Sequence, residues 1–237
     1  MTKHGKKYRE AIELLDKTMA YSPEEAVDLA KKMAKAGFDE TVELHLRMGL
    51  DPRNASQQVR GVALLPSGLG KKVRVLVFAQ GEASRIAEEA GADYIGDDDL
   101  TKKIEDGWLE FDTAIATPDM MSKVGKLGRV LGRRGLMPNP KSGTVVSAED
   151  LPRVIEDARK GRVEFKLDRT AIIHVPLGKV SFDNESLMSN LSAVVEAVMK
   201  AKPSGAKGQY VRSAFLTTTM GPGIRLDLRP TLALTSS

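Results

Sequence analysis

The sequence predicts an α+β end domain built from both chain termini, with an inserted three-layer α/β (Rossmann-like) domain. Three observations carry this reading. In the flanks, from Thr41 and again from Tyr210, apolar and polar residues alternate with a period of two, which marks strands with one wet face. From Val73 the rhythm changes: short apolar runs alternate with helical segments across tight, glycine-punctuated connections. That order calls for a parallel sheet covered on both faces. Finally, 237 residues are enough for two separate cores. The expected division is 1–67 with 161–237 for the end domain and 68–160 for the insert.

The elements follow in order. Tyr8–Lys17 reads as a short helix with Tyr8, Ile12 and Leu15 on one side. Ser22-Pro23-Glu24-Glu25 is a helix start, with Ser22 as N-cap, Pro23 in the first turn and Glu25 closing a capping box. Val27, Ala30, Met33 and Ala34 repeat at helical spacing, and Gly37 is expected to end the helix. Thr41–Met48 and Val59–Leu65 read as strands, the second stopped by Pro66-Ser67-Gly68. In the middle block Val73–Ala79, Tyr94–Ile95 and Thr113–Ala116 are strands; Ala83–Ala90, Leu100–Ile104 and Pro118–Val124 are helices. Asp97–Asp99 and Thr117 are candidate caps. Ser147 caps a helix running to about Lys160, with Pro152 in its first turn and Gly161 ending it. Arg162–Lys166 and Ala171–Val180 look like paired strands joined through Asp168-Arg169-Thr170. Asn184–Lys202 is an amphipathic helix with Leu187, Leu191, Val194, Val195 and Val198 on one face. Tyr210–Thr219 and Ile224–Leu228 are strands around the Met220-Gly221-Pro222-Gly223 turn.

Composition narrows the function classes. Hydrophobic residues make up 41% and charged residues 29% of the chain, as in an ordinary globular protein. No apolar run approaches the ~18 residues of a membrane helix. MTKHGKKYREAIELLDK lacks the apolar core of a secretory signal, so a cytoplasmic location is expected. With no cysteine there is no disulfide, thiolate metal site or cysteine nucleophile. A net charge of +4 is too small to identify a partner, but the charges are unevenly spread. Asp93–Asp112 holds eight acids against Lys102 and Lys103, whereas Met120–Ala148 and the run from Glu196 to Asp227 contain none between their ends. Two local basic faces on a nearly neutral chain point to defined docking surfaces.

The first of these, GKLGRVLGRRGLMPNPKSGTVV (Gly125–Val146), lies among Lys123, Lys126, Arg129, Arg133, Arg134 and Lys141. Five glycines and two prolines break any long helix or strand there. A solvated loop is one reading. A phosphate-contacting surface is the other, with glycine backbone approaching an anion and arginine forks matching its geometry. Neither G-x-x-x-x-G-K-[ST] nor G-x-G-x-x-G occurs in the stretch.

Catalytic candidates are sparse. His4, His45 and His174 form no H-x-x-x-H pair, and the two strand histidines read as packed or hydrogen-bonded. Asp97–Asp99 suit helix caps better than a Mg²⁺ site. A nucleotide-binding α/β enzyme stays open as the alternative, although Gln80-Gly81-Glu82 places an acid where a pyrophosphate would sit. No cofactor is implied. An ordered RNA-reading surface fits better. Phe38 precedes a strand whose polar side carries Thr41 and Glu43; Ser213, Thr217 and Thr219 alternate before Met220-Gly221. Such a set offers hydroxyls, bare backbone and an aromatic ring to 2′-OH groups and RNA shape. Taken singly, each is ordinary strand composition.

LGRVLGRRGLMPNPKSGTV resembles the signature of the ribosomal large-subunit protein one family, which forms the mobile stalk beside the tRNA exit site. The resemblance extends through FDETVELHLRMGLDPR (Phe38–Arg53), VRGVALLPSGLGKKVRV (Val59–Val75), AKPSGAKGQYVRS (Ala201–Ser213) and TTTMGPG (Thr217–Gly223), nearly the whole chain. Arg133 stands where the family more often has proline. The resemblance implies a split two-domain architecture hinged by two crossing strands. It also implies a specific rRNA site at Phe38, Thr41, Glu43, Ser213, Thr219, Met220 and Gly221, with Thr217 on the same segment. The basic stretch would add a second contact to the same rRNA arm. Further implied are rRNA, exit-site tRNA and the protein's own operon mRNA as partners, release of deacylated tRNA, repression of that message, and a monomer off the ribosome, with no membrane partner.

Overall fold

The computed structural model describes residues 5–96 and 98–234. His4 and the cap assigned to Asp97 lie outside the described residues, as do the side chains of Asp98 and Lys141. The chain is a mixed α/β protein and forms two compact units, Met1–Gly70 with Val163–Ser237, and Lys71–Arg162. In order it runs through α1 (Lys6–Glu13), α2 (Pro23–Met33), β1 (Thr41–Met48), β2 (Arg60–Leu64), β3 (Val75–Phe78), α3 (Glu82–Glu89), β4 (Tyr94–Gly96), α4 (Asp98–Glu105) and β5 (Thr113–Ala116). It continues through α5 (Met121–Val124), α6 (Gly128–Arg134), α7 (Leu151–Lys160), β6 (Arg162–Lys166), β7 (Ile172–Lys179), α8 (Asn184–Lys200), β8 (Val211–Thr218), β9 (Ile224–Leu226) and α9 (Leu228–Ala233).

In the first unit, β7, β1, β8 and β9 form a sheet in that order, antiparallel throughout. The period-two pattern sets its sidedness: Val42, Leu44, Leu46 and Met48 of β1 are buried while the residues between them are not. The buried side packs against Val27 and Ala30 of α2 and Leu191, Val194, Val195 and Val198 of α8. Each such valine or leucine contributes roughly 1.5–3 kcal/mol of burial. The Ser22 hydroxyl accepts from the Glu25 N–H at 3.3 Å, and the Glu25 carboxylate accepts from the Ser22 N–H at 3.1 Å. The expected capping box is therefore present.

Several boundaries differ from the sequence reading. Helix α2 stops at Met33, because Ala34 turns extended (φ −70°, ψ 106°), so Gly37 does not end it. Strand β6 pairs with β2, not with β7. The Asp168 carboxylate accepts from the N–H groups of Thr170 and Ile172 at 2.8 and 2.7 Å. With Ala171 at φ 61°, it turns the chain away after a single bridge, Leu167 to Ile173. Gly61 supplies the reason for the β2 partner: a Cβ there would come 2.6 Å from the buried Phe165 ring. The strand expected to reach Leu228 ends at Leu226, and Asp227 caps α9 by accepting from the Arg229 N–H at 3.0 Å.

The second unit holds a parallel sheet ordered β4-β3-β5. All four β3 residues are buried, and they alternate between two cores. Val75 and Val77 meet Ala87 of α3 and Leu151, Val154 and Ile155 of α7. Leu76 and Phe78 meet Ile104, Val124, Leu127 and Leu131 on the other face. Thr117 stands at the N-cap of the turn beginning Pro118 but its side chain caps nothing. Asp99 falls inside α4. Ser147 is the N-cap of a 3-10 turn, Ala148–Asp150, that leads into α7; Pro152 lies in the first turn of α7, and Gly161 ends it in the left-handed region. The basic stretch is helical through most of its first half: α5, a 3-10 turn at Gly125–Leu127, and α6, ended by left-handed Gly135 (φ 72°). Its driving pattern is Met120, Val124, Leu127 and Leu131, all buried and spaced at helical intervals. Those residues outweigh the glycines. Among the described residues, no helix is long and apolar enough to cross a membrane.

Asn190, fully buried on α8, accepts from the Ser67 N–H at 3.0 Å and donates to the carbonyls of Gly68 at 3.0 Å and Leu177 at 2.7 Å. Asn190→Leu leaves three backbone groups without that partner, so urea unfolding should show a loss of at least about 2 kcal/mol. Leu64→Ala, at a position 55% exposed, should stay within about 0.5 kcal/mol.

Candidate nucleic-acid interface

Two segments far apart in sequence meet at one end of the first unit's sheet. Glu40, just before β1, is 2% exposed. One of its carboxylate oxygens accepts from the Ala36 N–H at 3.0 Å, and the other accepts from the Met220 N–H at 2.9 Å. Burial, the largest single influence, pushes this carboxyl up, but the N–H groups of Met220, Ala36 and Lys35 and the Thr218 hydroxyl together hold it below its ordinary value. The ion thus staples the loop carrying Phe38 to the turn carrying Met220. Phe38 is 56% and Met220 63% exposed. Both line a cavity of about 560 Å³ rimmed by Lys6, Lys7 and Lys35.

The hydroxyls predicted to face a partner are used within the protein first. The Thr41 N–H donates to Thr219 Oγ1 at 2.9 Å, and Thr41 Oγ1 accepts from Lys179 Nζ at 2.9 Å. Thr217 Oγ1 donates to the Thr218 carbonyl at 3.0 Å. Each keeps acceptor capacity, so these bonds orient the groups without exhausting them. Gly221 has no room for a side chain, since a Cβ would lie 2.4 Å from Thr218 Oγ1. Glu43 and Thr217 are cross-strand neighbours, and Ser213 stands opposite Arg47. The predicted residues of the two segments are therefore brought together, with Ser213 two rows away.

Sequence reasoning missed three contributors, Glu40, Lys179 and Phe215. Glu40 and Lys179 are charged residues whose value lies in partners distant along the chain. His45 and His174 face each other across β1 and β7, their Nδ1 atoms 2.7 Å apart. Burial, then the neighbouring His174, hold His45 below its ordinary value against the pull of Glu43. The hydrogen-bonded reading of both rings is what the structure has. Phe215, 37% exposed, lies between Ser213 and Thr217 in the same alternation and was legible there.

On the second unit, Lys126, Arg129 and Arg133 recur at helical spacing on the exposed side, opposite Leu127 and Leu131, with exposed Arg134 beside them. Lys123 is half-buried. Gly125 and Gly128 have right-handed helical backbone, so a loop cradle of free glycine amides, as the sequence reading supposed, is not what is built. The surface is instead a helix presenting cations. Arg133 continues that helix to Arg134.

Nothing comparable serves the enzyme alternative. Gly81 turns directly into α3, whose first residue is Glu82, and a carboxylate at a helix N-terminus opposes phosphate binding. Among the described residues, no group of three His, Asp or Glu is placed to hold a metal ion.

Fold and surface thus define a mixed α/β protein with local basic surfaces. The chain belongs to the Ribosomal protein L1p/L10e family, whose model matches residues 30–222. It is 69% identical over 234 residues to the large ribosomal subunit protein uL1 of Dehalococcoides mccartyi (strain CBDB1), covering 99% of each chain. It is 58% identical over 233 residues to that of Thermomicrobium roseum, covering 98% of this chain and 97% of that one. The family is structural, not enzymatic, and the enzyme alternative finds no support in it.

Glu40→Gln tests the staple. It keeps the shape but turns one acceptor into an amide donor facing an N–H, so urea unfolding at pH 7 should show a loss of about 1–3 kcal/mol. Because the folded-state carboxyl is held low, its stabilisation is full above the ordinary carboxylate range and fades as pH falls through the folded value. The gap between variant and wild type should therefore narrow in acid.

Proposed function

We propose that the protein is a non-catalytic constituent of the large ribosomal subunit, on the cytoplasmic ribosome, and that it reads rRNA of the stalk region. The observation that supports this best is the Glu40 staple, which holds exposed Phe38 and Met220 at one cation-rimmed cavity. Phe38, Thr41, Glu43, Ser213, Thr217, Thr219, Met220 and Gly221 make up the specific site. Hydroxyls and backbone there meet 2′-OH groups, and the two apolar side chains meet bases. Lys123, Lys126, Arg129, Arg133, Arg134 and Lys141 give a second contact, to phosphates. In this reading the two compact units are separable domains divided near residues 68 and 160, with β2 and β6 as the hinge strands. The family resemblance further supports a monomer off the ribosome that helps deacylated tRNA leave the exit site and represses its own operon mRNA.

Salt separates the two surfaces. Each Lys or Arg neutralising a phosphate contributes roughly −0.7 to −0.9 to the slope of log K against log salt. Replacing Arg129, Arg133 and Arg134 by Gln should flatten that slope by up to about two units for a stalk-type rRNA fragment. Preference over random RNA should hardly change, because phosphate contacts carry no sequence information. Met220→Asp should do the reverse, costing about 2–5 kcal/mol of cognate binding at an almost constant slope. The opposite pairing of effects would exchange the roles of the two surfaces. Failure of the wild type to prefer the stalk fragment would remove the rRNA reading altogether.

A chain joining residues 1–67 to 161–237 through a short linker should fold and keep most of the sequence-specific affinity. Specific binding retained only by an isolated 68–160 segment would reverse that assignment.

A further inference from the structure

The first unit's sheet has a face turned away from α2 and α8, and its rows follow from the strand register. His174 of β7 stands beside His45 of β1, His45 beside Phe215 of β8, and Phe215 beside Arg225 of β9. Two imidazoles, a benzene ring and a guanidinium thus cross all four strands in one row. The next row runs Ile172, Arg47, Ser213, and the row on the other side runs Pro176, Glu43, Thr217. Phe215 lies outside the core cluster: its neighbours Ala214 and Leu216 are buried, whereas Phe215 is 37% exposed. Arg47 and Arg225 are exposed beside it.

His45, Phe215 and Arg225 of this row line a cleft of about 710 Å³, together with Leu15 and Met19. That volume lies within the roughly 300–1,000 Å³ range of clefts that enclose small ligands. Its charge is set by Lys17, Arg47 and Arg225 against Asp16 and Glu43. The Asp16 carboxylate is already occupied by the N–H and hydroxyl of Thr18, at 2.9 and 2.6 Å. Glu43 lies 3.8 Å from the Nε2 of His45. Three cations thus stand against two carboxylates, one of them already hydrogen-bonded within the protein, which leaves the cleft a small positive excess.

We propose that this face binds an unpaired nucleotide of the large-subunit rRNA, its base stacked on Phe215 and its flanking phosphates met by Arg47 and Arg225. A base needs a flat apolar platform and its backbone needs cations, and here both occur within one strand spacing. A flat sheet cannot enter the deep, narrow major groove of an RNA duplex, so the nucleotide is one splayed out of a helix. Ser213 and Thr217, in the flanking rows, join this platform to the specific site. The inference rests on the rRNA reading above and deepens it by naming what the adjoining sheet face recognises.

The full-length protein is titrated with a stalk-type large-subunit rRNA fragment and, separately, with unstructured ten-nucleotide oligo(A) and oligo(U). Wild type should bind oligo(A) more tightly than oligo(U), because a purine stacks over a larger area. Phe215→Ala should weaken both the fragment and oligo(A) by about 5- to 150-fold, the effect of losing one base stack, and Phe215→Trp should restore binding. Arg47→Gln with Arg225→Gln should flatten the salt slope by about one to two units. Phe215 is outside the core, so circular dichroism should show Phe215→Ala folded as wild type. Tight binding of the fragment that Phe215→Ala leaves unchanged overturns the inference while the rRNA reading stands. Phe215-dependent binding of oligo(A) with no preference for the fragment keeps the stacking face and removes the rRNA reading. Binding of neither RNA overturns both.

Discussion

Strand β1 can satisfy its backbone only with partners from the far end of the chain, and the rest of the first unit follows from that constraint. His45 on β1 meets His174, 129 positions later, and Thr41 at its start bonds Thr219, 178 positions later. Closing such loops costs entropy that grows only with the logarithm of their length. A segment with its own two cores can therefore sit in the connection at little extra cost. Strands β2 and β6, through which the chain leaves and re-enters the unit, are paired. The buried Phe165 ring against Gly61 fixes that pairing.

The same constraint brings polar groups to the end of the sheet, where they must be satisfied or solvated. Glu40 shows which effect wins. Burial alone would favour its neutral acid, yet several hydrogen-bond donors, the Met220 and Ala36 N–H groups foremost, together keep it ionised and low. What the ion holds in place is the pair of loops from which Phe38 and Met220 project. Thr41, Thr217, Thr219 and Lys179 extend the network. A surface ordered in advance loses little further freedom when a partner arrives, which suits recognition of a folded RNA by shape.

The second unit's charged surface is organised by a different force. Burial of Val124, Leu127 and Leu131 winds the glycine-rich stretch into helix, and the period that faces them inward faces Lys126, Arg129 and Arg133 outward. Long, solvated side chains of this kind supply attraction that salt weakens. The geometry around Glu40 is instead hydrogen-bonded and short-range.

Sequence alone determined the elements whose signal is local. The capping box at Ser22, the alternation of β1, the amphipathic face of α8 and the strand–helix rhythm of the middle block all depend on neighbours within a few residues. The same holds for Phe215, whose place in the alternation was legible though overlooked, and for the helical spacing of Met120, Val124, Leu127 and Leu131, masked by their glycines. The family motif likewise resides in contiguous residues. Only the tertiary structure decided that β6 pairs with β2, that Glu40 reaches both Ala36 and Met220, and that His174, His45, Phe215 and Arg225 share one row. Each of these is a contact between residues far apart in the chain, selected by competition among partners for the same backbone groups. No local spacing records the outcome of that competition.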